Sequence, residues 1–117
     1  MEEKLFVGVG RISLFFRQAR NLKDKRSVVQ SLKQKLRNDG WSVVEVGHQN
    51  DFKKAFLGFT YTASSSQALE QAFSKLSPLF LGNFEIVRKS KEILEFEGDP
   101  SFDESLLTRS LLGDTDD

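Results

Sequence analysis

The sequence predicts an α+β fold in which two helices cover one face of a four-stranded antiparallel sheet. Three observations predict it. Several short stretches alternate apolar and polar residues with a period of two. Two others repeat apolar residues at helical spacing. Turn-rich segments separate them in the order β-α-β-β-α-β.

The first strand is "KLFVGVGRISLFF", Lys4 to Phe16. Val7 and Val9 share one parity, whereas Ile12, Leu14 and Phe16 fall on the other. A switch of parity calls for a bulge or bend, expected at Gly8 or Gly10. The first helix begins within "NLKDKRSVVQSL", Asn21 to Leu32. Asn21 and Asp24 have capping-box spacing, with Asp in place of the preferred Glu. Val28, Val29, Leu32 and Leu36 mark its apolar face, and "NDG" ends it, with Gly40 free to take the left-handed cap.

"WSVVEV" (Trp41 to Val46) and "AFLGFTYT" (Ala55 to Thr62) are β-rich and flank the turn composition "GHQND", so they form a hairpin. The second helix lies within Ser64 to Pro78. Its cap is either Ser64, with Gln67 at capping-box spacing, or Ser66 followed by Glu70. Leu69, Phe73 and Leu76 form its stripe, with Ala72 filling in. Asn83 to Phe96 is extended again, and its polar middle "RKSKE" is an exposed edge or a turn.

This order is that of the ferredoxin-like split βαβ sandwich, βαββαβ, with sheet order 4-1-3-2 and one face left open. At 117 residues the chain suits a single domain, placed at 1–97. Residues 98–117 form a C-terminal tail. In it Ser101 and Glu104 again have capping-box spacing, and Leu106, Leu107 and Leu111 form a short stripe stopped by Gly113. A short third helix is expected there, followed by a disordered acidic end, "DTDD".

Composition narrows the function. Acidic and basic residues balance at 17 each, so nucleic-acid binding requires basic residues gathered on one face. The absence of cysteine removes disulfides, thiolate metal sites and thiol catalysis, and fits a cytoplasmic protein. No apolar run approaches the roughly 18 residues of a membrane span, and the acidic, glycine-broken start is unlike a secretory signal.

The segments "NLKDKRSVVQSL", "LRN" (Leu36 to Asn38), "SVVEV" (Ser42 to Val46), "HQ" (His48, Gln49) and "AFLG" (Ala55 to Gly58) together resemble the YlxP-like family of bacterial proteins, a domain of unknown function. The resemblance runs from about Leu5 to about Phe96. Gly47, Phe52 and Lys54 stand where that pattern usually has an acid, a tryptophan and an arginine. The resemblance implies a ferredoxin-like fold and a cytoplasmic bacterial protein. Through typical gene neighbours in ribosome maturation and translation initiation, it also implies a link to RNA or ribosomes. It supplies no activity.

Three groups of residues compete for a functional role. Lys23, Lys25, Arg26, Lys33 and Arg37 put cations on the first helix, some of them near the end that favours negative charge. With Lys53 and Lys54 they are read as an RNA or anion patch. Alternatively they form a solvated face, with Lys25 laying its stem on the core. Phe6, Gly8, Phe56 and Gly58 are expected on the open sheet face, if Val7 and Leu57 point to the helices. There they would stack bases, form a dimer surface or pack against the leucine-rich tail. His48, beside Gln49, Asp51, Lys53 and Lys54, could act as an acid or base, yet no partner at a telling spacing requires it. No spacing supports a metal site or a cofactor, and "GVG" lies inside a strand and lacks the third glycine of a dinucleotide-binding loop. The expectation is a non-enzymatic homodimer that contacts RNA or a ribosomal particle. The alternative is a homo-oligomeric interaction module working through the open sheet face. No DNA or membrane partner is expected.

Overall fold

The computed structural model describes residues 3–98. Its elements are β1 (Lys4–Phe15), α1 (Leu22–Asn38), β2 (Ser42–Gly47), β3 (Lys54–Ala63), α2 (Ser66–Ser74), a short 3-10 helix (Ser77–Phe80) and β4 (Glu85–Glu97). The strands make one antiparallel sheet in the order β2-β3-β1-β4, the ferredoxin-like arrangement. The expected tail helix and acidic end lie outside the described residues.

Each α-helix starts on a side-chain cap. Asn21 Oδ1 accepts from the Asp24 amide at 2.9 Å, and Asp24 in turn accepts from the amide of Arg20 at 2.9 Å. That carboxylate in the first turn offsets the cations around it. In α2 the cap is Ser65, whose hydroxyl accepts from Ala68 at 3.1 Å, rather than Ser64 or Ser66. Gly40 ends α1 at φ +96°, and the amide of Trp41 closes the turn on the carbonyl of Leu36 at 3.0 Å.

The core lies between the sheet and the helices. Ile12, Leu14 and Phe16 from the first strand and its exit meet Leu57 and Phe59 of β3, and Val29, Leu32 and Leu36 of α1. Trp41 is the hub of an aromatic cluster, with ring centroids 5.1–5.3 Å from those of Phe59, Tyr61 and Phe73. β4 is exposed throughout and forms one edge of the sheet. Its Lys89, Lys91, Glu92 and Glu95 are the charges that keep such an edge from pairing with another chain.

The expected parity switch in β1 is absent. Its pairing with β3 runs unbroken from Phe6 to Phe15, and the irregularity falls on the β4 side, between Ser13 and Leu14. Phe6, Gly8, Gly10, Ile12 and Leu14 all face the helices. Two of these inward positions are glycines because larger side chains already fill the space. A Cβ on Gly8 would lie 2.6 Å from the Phe73 ring and 2.8 Å from Leu69, and one on Gly10 would run into the Phe59 ring. Val7 and Val9 therefore lie on the open face.

Candidate nucleic-acid interface

Four of the expected anion-binding residues remain exposed or half-exposed on α1: Lys23, Arg26, Lys33 and Arg37. At about 100° per residue, Arg26, Lys33 and Arg37 fall within about 40° of one another around the helix. Their line lies about 90° from the buried stripe of Lys25, Val29, Leu32 and Leu36. Lys23 stands beside the upper end of this ridge. None of the four makes an ion pair with a described residue.

Lys25 does not belong to that ridge. Only 1% of it is exposed. Its ammonium donates to the backbone carbonyls of His48 (2.7 Å), Asp51 (2.7 Å) and Lys54 (3.0 Å). A carboxylate oxygen of Glu45 lies 3.3 Å away without forming an aligned hydrogen bond, because the three N–H groups are already committed. Lys25 is thus a tether from α1 to the β2–β3 loop, and a phosphate has no access to it. Its spacing of four from Val29 is the signal that identifies it. Position 25 falls on the buried stripe, and a charged residue there needs buried partners.

The loop cations do not extend the ridge either. The Lys53 ammonium donates to the carbonyl of Arg17 at 2.7 Å and sits 5.7 Å from the centre of the Phe52 ring. Lys54 is exposed, but in the register it pairs with Phe15 on the sheet face away from the helices. His48 adopts φ +62° and contributes its backbone carbonyl to Lys25, while its imidazole is exposed. Among the described residues no group of three or more His, Cys, Asp or Glu side chains is placed to hold a metal ion.

The open face carries a different set of residues from the one expected. Phe6 and Gly8 point to the helices, where α2 needs the space. Phe56 and Gly58 do lie on the open side. The register aligns them in cross-strand rows. One row is Phe56, Ser13 and Arg88; the next is Val44, Gly58, Arg11 and Ser90. Arg11 Nε donates to the Ser90 hydroxyl at 3.1 Å. Arg11 and Arg88 are cations that sequence reading missed. The alternation that places them outward becomes clear only once Gly8 and Gly10 are seen to be core positions.

At the end of this face Arg17 donates to Glu85 at 2.8 Å, a hydrogen bond and charge pairing that raise the guanidinium pKa above its ordinary value. The opposite end is apolar, with Leu5, Leu94 and Phe96 each about half exposed.

Residues 7–91 match the family described as protein of unknown function (DUF503). The chain belongs to the DUF503 family. Both clusters of this DUF503 chain, the α1 ridge and the Arg11–Arg88 rows, fall within the matched residues. The sequence matches none of the curated proteins. Among solved structures it is similar to a candidate chlorite dismutase, at 12% identity and a TM-score of 0.42. That match covers 92% of this chain, which spans 48% of the other's length. It is also similar to the de novo designed protein Foldit4, at 8% identity and a TM-score of 0.34, over 80% of this chain and 97% of that one. A dimeric ferredoxin-like protein from an uncultured marine organism matches at 12% identity and a TM-score of 0.35, over 86% of this chain and 100% of that one. No described helix is long and apolar enough to cross a membrane.

Proposed function

We propose that this DUF503 protein is a cytoplasmic, non-enzymatic module that binds RNA, free or within a ribosomal particle, through the outer flank of α1. The observation that carries this reading is the ridge of Arg26, Lys33 and Arg37, with Lys23 beside it. Three exposed cations and the half-exposed Lys33 have no carboxylate partner among the described residues. In a chain of balanced charge, such segregation is the footprint a phosphate backbone requires. The YlxP-like resemblance, with its ribosomal gene neighbours, points the same way.

The test is retention of labelled single-stranded RNA across a salt series. The wild type should lose affinity steeply as salt rises. Arg26→Glu combined with Lys33→Glu should bind weakly at all salts, with a salt slope lower by about one for each phosphate that is no longer neutralised. Unchanged binding in that double variant would refute the ridge.

A second reading rests on the apolar end of the open face. Leu5 pairs with Phe96 and Val7 with Leu94, and all four lie on the side away from the helices. A second copy covering them would make the protein a homodimer. Sedimentation of wild type against Phe96→Asp decides this: the wild type should run as a dimer and the variant as a monomer. A wild-type monomer would end that reading.

A further inference from the structure

We infer that the polar half of the open sheet face is a nucleotide pocket, in which Arg11 and Arg88 hold a phosphate and Phe56 stacks a base. This rests on the RNA reading above and gives that RNA a second, more selective contact. An open depression of about 480 Å³ lies over the strand segments Arg11–Ser13 and Arg88–Ser90 and is bounded by Phe56. Its size suits one or two nucleotide units rather than a protein side chain.

Its chemistry is one-sided. Arg11, Arg88 and Lys89 line it together with the hydroxyl residues Ser13 and Ser90, and no carboxylate does. Of the carboxylates on this face, Glu85 is bound to Arg17, and Glu92 lies one row beyond Ser90. The register places Ser13 between Phe56 and Arg88 in one row, and Arg11 between Gly58 and Ser90 in the next. A cation therefore stands two strands away from the ring, on the same face. Gly58 leaves the ground next to the ring clear: a Cβ there would meet only Val46, at 3.8 Å. A flat group can thus lie against Phe56 over Gly58 while its phosphate reaches the guanidinium groups. Arginine suits that part, since its planar fork takes a phosphate by two bonds at once. The Arg11–Ser90 hydrogen bond holds one such fork in place in advance.

This arrangement differs from the ridge in what it recognises. The ridge offers charge alone, so it follows a backbone of any sequence. The pocket adds an aromatic ring, which favours unpaired bases. Single-stranded RNA is therefore the ligand it fits, and a duplex, with its bases stacked inside, is not.

The test uses the full chain and a fluorescein-labelled single-stranded uridine octanucleotide, compared with a duplex of the same length, in about 50 mM salt. Phe56→Leu keeps an apolar side chain and removes the ring. It should weaken single-strand binding about 5- to 100-fold and leave duplex binding unchanged. Arg11→Gln and Arg88→Gln should each weaken it and lower the salt slope by about one. In the wild type, a 4-thiouridine octanucleotide should crosslink to the peptide that contains Phe56.

If the ridge variants lose binding while all three pocket variants match wild type, the pocket is wrong and the RNA reading stands. If wild type retains no octanucleotide, both fall. If the pocket variants change sedimentation and leave RNA binding intact, this half of the face is a contact between copies, and the inference is overturned.

Discussion

The ammonium of Lys25 lies 3.3 Å from a carboxylate oxygen of Glu45, with both groups withdrawn from solvent where α1 meets the second strand. Of the three carbonyls that accept from it, those of His48 and Asp51 lie in the loop between β2 and β3, and that of Lys54 opens β3. One side chain thus anchors the turn from outside, beside the turn's own bonds from the Asp51 amide to the His48 carbonyl and from the Lys53 amide to the Asp51 side chain.

Lys25→Met should destabilise the protein by about 3–5 kcal/mol, because it leaves a buried carboxylate and three carbonyls without their partner. Glu45→Gln should cost less, since the carbonyls keep their donors. Urea unfolding of the two variants and of the double variant gives the coupling. Equal losses in both single variants would contradict the tether.

The glycines of the two central strands should behave in opposite ways. Gly8→Ala and Gly10→Ala should each cost about 1–3 kcal/mol through overpacking against Phe73 and Phe59. Gly58→Ala meets only Val46, at an ordinary contact distance of 3.8 Å, and should be neutral or stabilising, by up to about 1 kcal/mol, since alanine has less backbone freedom to lose. Thermal unfolding of the three variants distinguishes inward from outward positions without a crystal.

His48 holds a left-handed conformation, φ +62°, so that its carbonyl can reach Lys25. His48→Gly removes side-chain crowding worth about 1–2 kcal/mol and adds chain entropy worth roughly 0.5–1 kcal/mol. The net change should stay within about 1 kcal/mol. His48→Val, β-branched at the same angle, should be clearly destabilising. If the glycine variant unfolded several kcal/mol more easily, the imidazole itself would have to be structural.

The indole nitrogen of Trp41 is buried without a hydrogen-bond partner among the described residues. Trp41→Phe removes that orphan donor as well as part of the ring. The two effects oppose each other, so the loss should stay below about 1.5 kcal/mol. Trp41→Ala, which empties the centre of the aromatic cluster, should cost about 3–5 kcal/mol. Denaturant curves followed by circular dichroism measure both.

The fold is readable because its signals are local and redundant. Asn21 and Gly40 bracket α1 in the sequence as they do in space. The β-rich runs on either side of "GHQND" pair as a hairpin. The errors share one physical cause: apolar character does not by itself mean core. Val7 and Val9 draw the core face of β1 to themselves in any reading of the pattern. The true inward residues beside them are glycines, whose burial is imposed by Phe73 and Phe59 arriving from far along the chain. No window of the sequence holds that information. Lys25 is the reverse case, a charged residue on a buried stripe, and helical spacing alone is enough to reveal it. The ridge of Arg26, Lys33 and Arg37 is legible because exposed residues at helical spacing need no tertiary knowledge. Arg11 and Arg88 come together only through a register that joins the first strand to the last, so neither stands out in the sequence.

The Lys25 tether also bears on how the chain acquires its structure. The donor and its acceptors are separated by 23 to 29 positions and lie on different sides of the second strand in the sequence. A peptide carrying the hairpin alone would keep the left-handed His48 and the bond from the Asp51 amide to the His48 carbonyl, but would lack the ammonium that three carbonyls share. It gains that further anchor when the helix arrives with its ammonium. The ammonium therefore couples the docking of the helix to the conformation of the turn.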